Sequence, residues 1–223
     1  MKKMKFGLST KIIACILTVQ IVVMGVLVLF IGNAITNNTK QSTTNNMETV
    51  VEERSRIIDN YVQEMEQTLT AYSRAGEILD VLKNPTDEAA VAAAQAYTEK
   101  FSADVSNLEG LYVSEWNTHV LAHTNAAVVG ITTREGDPLK ALQDALLAAD
   151  GVYNTGIIIS PASGQQIVSL YRAVFDESGN PVGLVGGGIF TTGLIQLLDS
   201  LTMQGMENAE YRMVNATNGQ YIF

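Results

Sequence analysis

The sequence predicts an α+β protein, with one N-terminal transmembrane helix and a long amphipathic helix preceding an antiparallel five-stranded sheet with flanking helices. Three observations carry that expectation. The chain opens on a basic tail followed by an uncharged apolar run; the next stretch repeats apolar side chains at helical spacing; and past Asn107 the pattern switches to short segments rich in β-branched and aromatic residues.

Lys2, Lys3, Lys5 and Lys11 crowd the first eleven residues, and no further charge occurs before Lys40. Within the gap, Ile12 to Gly32 is apolar apart from Thr18 and Gln20. At about 1.5 Å per residue this run reaches roughly 31 Å, enough to cross a bilayer once. Lysines on one flank and "NAITNNTKQSTTNN" on the other place the amino terminus in the cytoplasm by positive-inside bias. Residues 1–11 are thus expected as a cytoplasmic tail, 12–32 as the span and 33–205 as an extracytoplasmic module of a cell-membrane protein. The rival reading is a cleaved secretory signal ending near Gly32-Asn33-Ala34, although such apolar cores usually run only about 7 to 15 residues.

Beyond the span, Met47, Val51, Ile58, Tyr61, Met65, Leu69 and Tyr72 follow a spacing of three and four with Arg54 as the break, which predicts a helix from about Thr44 to Val81. Pro85 stops it and Thr86 is a candidate cap for the next helix, the alanine-rich segment from Glu88 to about Asn107. Part of the stripe is expected to cover the following domain and part to contact a second copy, giving a homodimer.

Five strand-like segments follow: "GLYVSEW", "HVLAHT", "YNTGIIIS", "QQIVSLYRAVFD" and "PVGLVGGGIF". One helix interrupts them from Asp137 to Asp150, with Asp137 as N-cap, Pro138 at the first helical position and Gly151 just after the end. A last helix is expected over "TTGLIQLLDSL".

The stretch Ser114 to Asn125 holds both histidines and the single tryptophan. With Asn117-Thr118 as a two-residue turn, Trp116 faces His119, Ser114 faces Leu121 and Tyr112 faces His123. One face then carries Tyr112, Trp116, His119 and His123, and the other carries Leu111, Val113, Val120 and Ala122. Metal binding lacks ligands, since Glu115 falls on the wrong face. Each histidine is either satisfied by backbone groups or set against a ligand, and the sequence leaves both open.

Composition removes several function classes. Beyond Lys11 ten basic residues stand against 23 acidic ones, a formal charge of −13, which disfavours nucleic acid and anionic lipid surfaces. Cys15 lies inside the apolar run, so no disulfide is expected in the outer module. No nucleophile motif, no His-Glu-x-x-His and no phosphate-cradling turn occurs, and "VGGG" lacks dinucleotide-binding spacing, so neither an enzyme nor a cofactor is expected.

The basic start "MKKMKFGLSTK", the single span, the long polar helix, "LYVSEWNTHVLAHTNAAVVG" and "SLYRAVFDESGNPVGLVGGGIF" together resemble the amino-terminal part of bacterial methyl-accepting chemotaxis receptors with a double-Cache sensory domain. The resemblance implies a PAS-like sheet packed on the long helix, a small-molecule pocket in the membrane-distal module, and signalling to a cytoplasmic output by helix displacement. It also implies that residues 206–223, with Asn218-Gly219 as a hairpin turn, begin a second module. Output to a histidine kinase or cyclase, or an anchored binding module with no output, are the alternatives.

Amino-acid-binding members of that family place aromatic and arginine side chains on the strands and an aspartate near the end of the last strand. That last position falls on Gly188 here. Tyr112, Trp116, His123, Tyr153, Tyr171 and Arg172 are the candidate ligand-binding residues. Tyr171 and Arg172 project to opposite faces, so at most one of them enters the pocket. The expected partners are the bilayer and an organic acid, an amino acid or a planar heterocycle.

Overall fold

The computed structural model describes residues 7–201 together with 212–214, 216 and 219. The stretch expected to begin a second module lies almost wholly outside these residues. By its contacts the chain divides into two units, residues 1–55 and 56–223.

The first helix, α1 (Leu8–Ser73), runs unbroken through the apolar run and the polar collar. No proline interrupts it, and the hydroxyl of Thr18 donates to Ala14 O at 2.8 Å, so this polar residue leaves no unsatisfied group within the apolar run. The stretch expected to remain helical to Val81 instead breaks at Arg74 and Ala75, where the main-chain N–H groups of both turn back to Ala71 O and Tyr72 O. A separate helix, α2 (Gly76–Lys83), follows and buries Ile78, Val81 and Leu82.

The next helix, α3 (Glu88–Ala103), takes Asp87 as its N-cap instead of Thr86, because the Asp87 carboxylate accepts from Ala89 N at 2.9 Å. It ends at Ala103, short of the expected Asn107, which stands at φ +56 and turns the chain into the sheet.

The sheet consists of β1 (Leu108–Glu115), β2 (Val120–His123), β3 (Val152–Ile159), β4 (Gln166–Phe175) and β5 (Pro181–Phe190). All pairings are antiparallel and the strand order is β2-β1-β5-β4-β3, a PAS-like sheet as expected. Between β2 and β3 lies α4 (Gly136–Ala148), and α5 (Thr191–Asp199) follows β5. Asp137 is not the N-cap of α4; Glu135 stands there without a side-chain cap bond, and Asp137 sits in the first turn, where its charge favours the helix dipole.

The two faces of the sheet are covered differently. On one, Met65, Leu69 and Tyr72 of α1, with Ile78, Val81 and Leu82 of α2 and Ala94 of α3, pack on Leu111, Val113, Leu170 and Val185. Tyr72 reaches Thr98 with a 2.6 Å hydroxyl pair and packs its ring among Tyr97 and Phe101. Burial of Tyr72 drives its phenol far above the ordinary tyrosine range. On the other face, Leu142 and Leu146 of α4 pack on Tyr171, Ala173 and Leu184. α4 covers only part of that face, and a cavity occupies the rest.

Candidate functional site

The β1–β2 hairpin sets one wall of the cavity. Tyr112 pairs with His123 as expected, but Ser114 pairs with Val120 instead of Leu121. Glu115 N donates to His119 O, so the loop holds three residues, Trp116 to Thr118, with Thr118 at φ +66. The added loop residue is compensated by a bulge at Leu121, and past a bulge every side chain changes face. Val120, expected on the helix side, therefore lines the cavity, and His119, expected beside Tyr112, is drawn into a bridge with Thr132.

The cavity holds about 440 Å³. Tyr112 and His123 stack in it, with ring centroids 5.3 Å apart and planes 9° from parallel. Asn125 N donates to His123 Nδ1 at 2.7 Å, which fixes the neutral ring with its proton on Nε2. Burial lowers the His123 pKa, with nearby Glu109 acting in the opposite direction. Tyr171 is buried at the far wall, paired across β5 through Gly186.

Arg134, which the sequence reading missed, supplies the positive charge. Its Nη2 donates to the Tyr171 hydroxyl at 2.9 Å and its guanidinium carbon lies 5.0 Å from that ring's centroid. The Tyr112 hydroxyl interacts with the same pair; burial raises its pKa well above the usual range, and the negative charge Tyr171 would carry if ionised adds to that. The guanidinium thus stands at a corner made by two phenols, where a planar donor fork suits a carboxylate.

Glu109, also missed, is the second charged group on the lining. It is the bulged residue between Leu108 and Gly110, and Ser160 Oγ donates to its Oε1 at 2.6 Å. Its Oε2 stands 3.1 Å from where a Cβ on Gly188 would lie. A carboxylate from β1 thus reaches over Gly188, the position at which the resemblance led us to expect an acidic side chain on the last strand. No ion pair joins Glu109 to Arg134 among the described residues.

Of the six candidate residues, Tyr112, His123 and Tyr171 line this cavity. Trp116 and Tyr153 do not; both pack against the cluster that Leu142 and Leu146 of α4 form with Tyr171, Ala173 and Leu184. Arg172 is on the opposite face, in a surface groove beside Arg74 and Asp150. Alternation along β4 dictates this once Tyr171 points inward. Among the described residues no group of three or more histidine, cysteine or carboxylate side chains could hold a metal ion.

No protein-family model matches the chain, and no curated protein matches it. Solved structures do. The sensor domain of the Vibrio cholerae histidine kinase DctB superimposes with a TM-score of 0.58 at 13% identity, covering 70% of this chain and 59% of that one. The sensory domain of the Campylobacter jejuni chemoreceptor Tlp3, solved with isoleucine bound, gives 0.56 at 14% identity, covering 73% and 65%. The same domain with L-valine gives 0.56 at 15% identity, covering 73% and 65%. The chain thus spans about three fifths to two thirds of the length of these domains and shares their fold.

Proposed function

We propose that this chain is the membrane-anchored, extracytoplasmic ligand-sensing part of a bacterial chemoreceptor, and that its cavity takes a small amino acid. One observation carries the reading: one cavity presents a guanidinium held by phenols, with no carboxylate paired to it among the described residues, and, separately, a carboxylate. A ligand with one anionic and one cationic end satisfies both, whereas either charge left alone in a part-buried site is costly. The fold shared with amino-acid-bound Tlp3 supports it.

The anchor is the uncharged part of α1, whose side chains from Ile12 to Ile31 are exposed and which is long and apolar enough to cross a membrane. The signal passes as a small displacement of α1 between two positions. The fold is shared equally with a histidine-kinase sensor domain, which favours kinase output as the second reading. Sequencing the gene past the Phe223 codon tests the choice: a kinase domain there favours the second reading and a chemoreceptor signalling domain the first.

The test is calorimetric titration of the full chain in lipid nanodiscs with each protein L-amino acid, then with the matching deaminated acid and decarboxylated amine. An amino acid should bind more tightly than either truncated analogue. Equal binding of acid and amino acid would remove Glu109 from the site, and no binding by any of the three would overturn the reading.

A further inference from the structure

Within the reading of the cavity as a ligand site, we propose that Thr118 is a positioning residue: its hydroxyl fixes the main chain of Arg134 and so sets where the guanidinium stands.

Thr118 occupies the last place in the three-residue hairpin loop, at φ +66. That conformation suits glycine or asparagine, and a β-branched residue there is a strained choice. Strain of this kind persists only where the surroundings impose it, and it concentrates at binding and catalytic sites. Thr118 is 1% exposed, and its Oγ1 both accepts from Arg134 N and donates to Arg134 O, each at 3.0 Å. Both capacities of the hydroxyl are spent on one residue.

The neighbouring bonds show why a side chain is needed. Gly130 N donates to Val120 O at 2.8 Å, Val120 N to Ile131 O at 3.0 Å and Thr133 N to Thr118 O at 3.2 Å. Residues 130–133 are thereby laid along the outer edge of β2 by main-chain pairing. At Arg134 that pairing runs out, because the chain turns at Glu135 and Gly136, the latter at φ +59, to begin α4. The Thr118 hydroxyl supplies the last two bonds in place of a strand partner. Arg134 then reaches Tyr171, 37 residues away in sequence, from a fixed origin.

Thr118→Gly relieves the backbone and removes the hydroxyl, whereas Thr118→Ser keeps the hydroxyl. In the full chain in nanodiscs, titrated with the tightest amino acid from the panel above, Thr118→Gly should weaken binding by about tenfold or more, as expected when a charge-assisted contact loses its geometry. Thr118→Ser should bind as the wild type. Adding Thr118→Gly to Arg134→Ala should cause no further loss, since both act through one group. Hydrogen exchange of the peptide spanning 130–134 should accelerate in Thr118→Gly and not in Thr118→Ser. Additive losses, a serine variant as weak as the glycine one, or unchanged exchange in Thr118→Gly would overturn the proposal. If no amino acid binds the wild type, the functional reading fails while the exchange comparison still decides the role of Thr118.

Discussion

Arg134 holds Tyr171 twice, by a 2.9 Å hydrogen bond to its hydroxyl and by lying 5.0 Å from its ring centroid. The two residues come from unrelated elements, an irregular segment before α4 and the centre of β4. Arg134→Ala is expected to weaken amino-acid binding by about 1.5–3 kcal/mol, the usual worth of a hydrogen bond to a charged group. Arg134→Lys should recover little, because an ammonium cannot present the planar fork. Arg172→Ala should leave binding unchanged, since that side chain is on the other face of the sheet. Titration calorimetry of the three variants checks the assignment, and a loss confined to Arg172→Ala would reverse it.

The glycines of β5 make room for the cavity wall. A Cβ on Gly186 would collide with the Tyr112 ring, which is itself stacked on His123. Gly186→Ala is therefore expected to displace that ring and destabilise the fold by about 1–3 kcal/mol, the range for overpacking a close-fitted site. For a chain of this size each kcal/mol lowers the melting temperature by about 2–4 °C. Thermal unfolding measures it, and an unchanged midpoint would mean that Tyr112 has space to move.

Much of this arrangement was legible in the sequence. The five strands, the Tyr112–His123 pair and the split of Tyr171 from Arg172 followed from alternation, which depends on neighbours along one strand. The loop end of the hairpin register was not legible, because nothing in "WNTHV" marks Thr118 as the residue to adopt positive φ, and one extra loop residue reverses the faces as far as the bulge at Leu121. Arg134 was hidden in "ITTREGD", a segment with no periodicity, because its place depends on bonds to residues 16 and 37 positions away. Glu109 could have been suspected: a lone carboxylate just ahead of the strand-like "GLYVSEW" is a local signal, though its reach over Gly188 depends on a bulge. Trp116 and Tyr153 were set in the pocket because aromatic residues suit ligands, but α4 covers that half of the face.

Acid should weaken the fold through His123. Burial lowers its folded pKa below the unfolded value near 6.5, and Nδ1 is committed as acceptor to Asn125 N at 2.7 Å. The unfolded chain then binds more protons in the window just under 6.5, so stability rises with pH there. The contribution is complete above about pH 6.5 and is lost as pH falls toward the lowered value. His123→Asn places Oδ1 where Nδ1 stood and should flatten the slope of unfolding free energy between about pH 7 and 5. Glu109 beside the ring works against the shift, so Glu109→Gln should steepen the dependence. Denaturant melts at several pH values decide it, and identical slopes in all three proteins would exclude His123 as the source.

The cavity floor and α1 are separated by one layer of backbone. Gly187 lines the cavity, yet its missing side chain would point the other way, placing a Cβ 2.5 Å from Met65 Cε of α1. Four residues earlier in α1, the Tyr61 hydroxyl donates to Phe190 O at the end of the same strand, at 2.9 Å. A ligand that moves the floor therefore meets α1 directly at Met65, without an intervening side chain on β5. Met65→Ala alone is expected to cost about 2–5 kcal/mol by opening a core cavity, and Gly187→Ala alone about 1–3 kcal/mol by overpacking. Together they should cost less than the sum by about 0.5–3 kcal/mol, because the added methyl enters the space that the methionine leaves. Chemical denaturation of the single and double variants measures the coupling, and strict additivity would show that the floor of the cavity and the helix do not touch in solution.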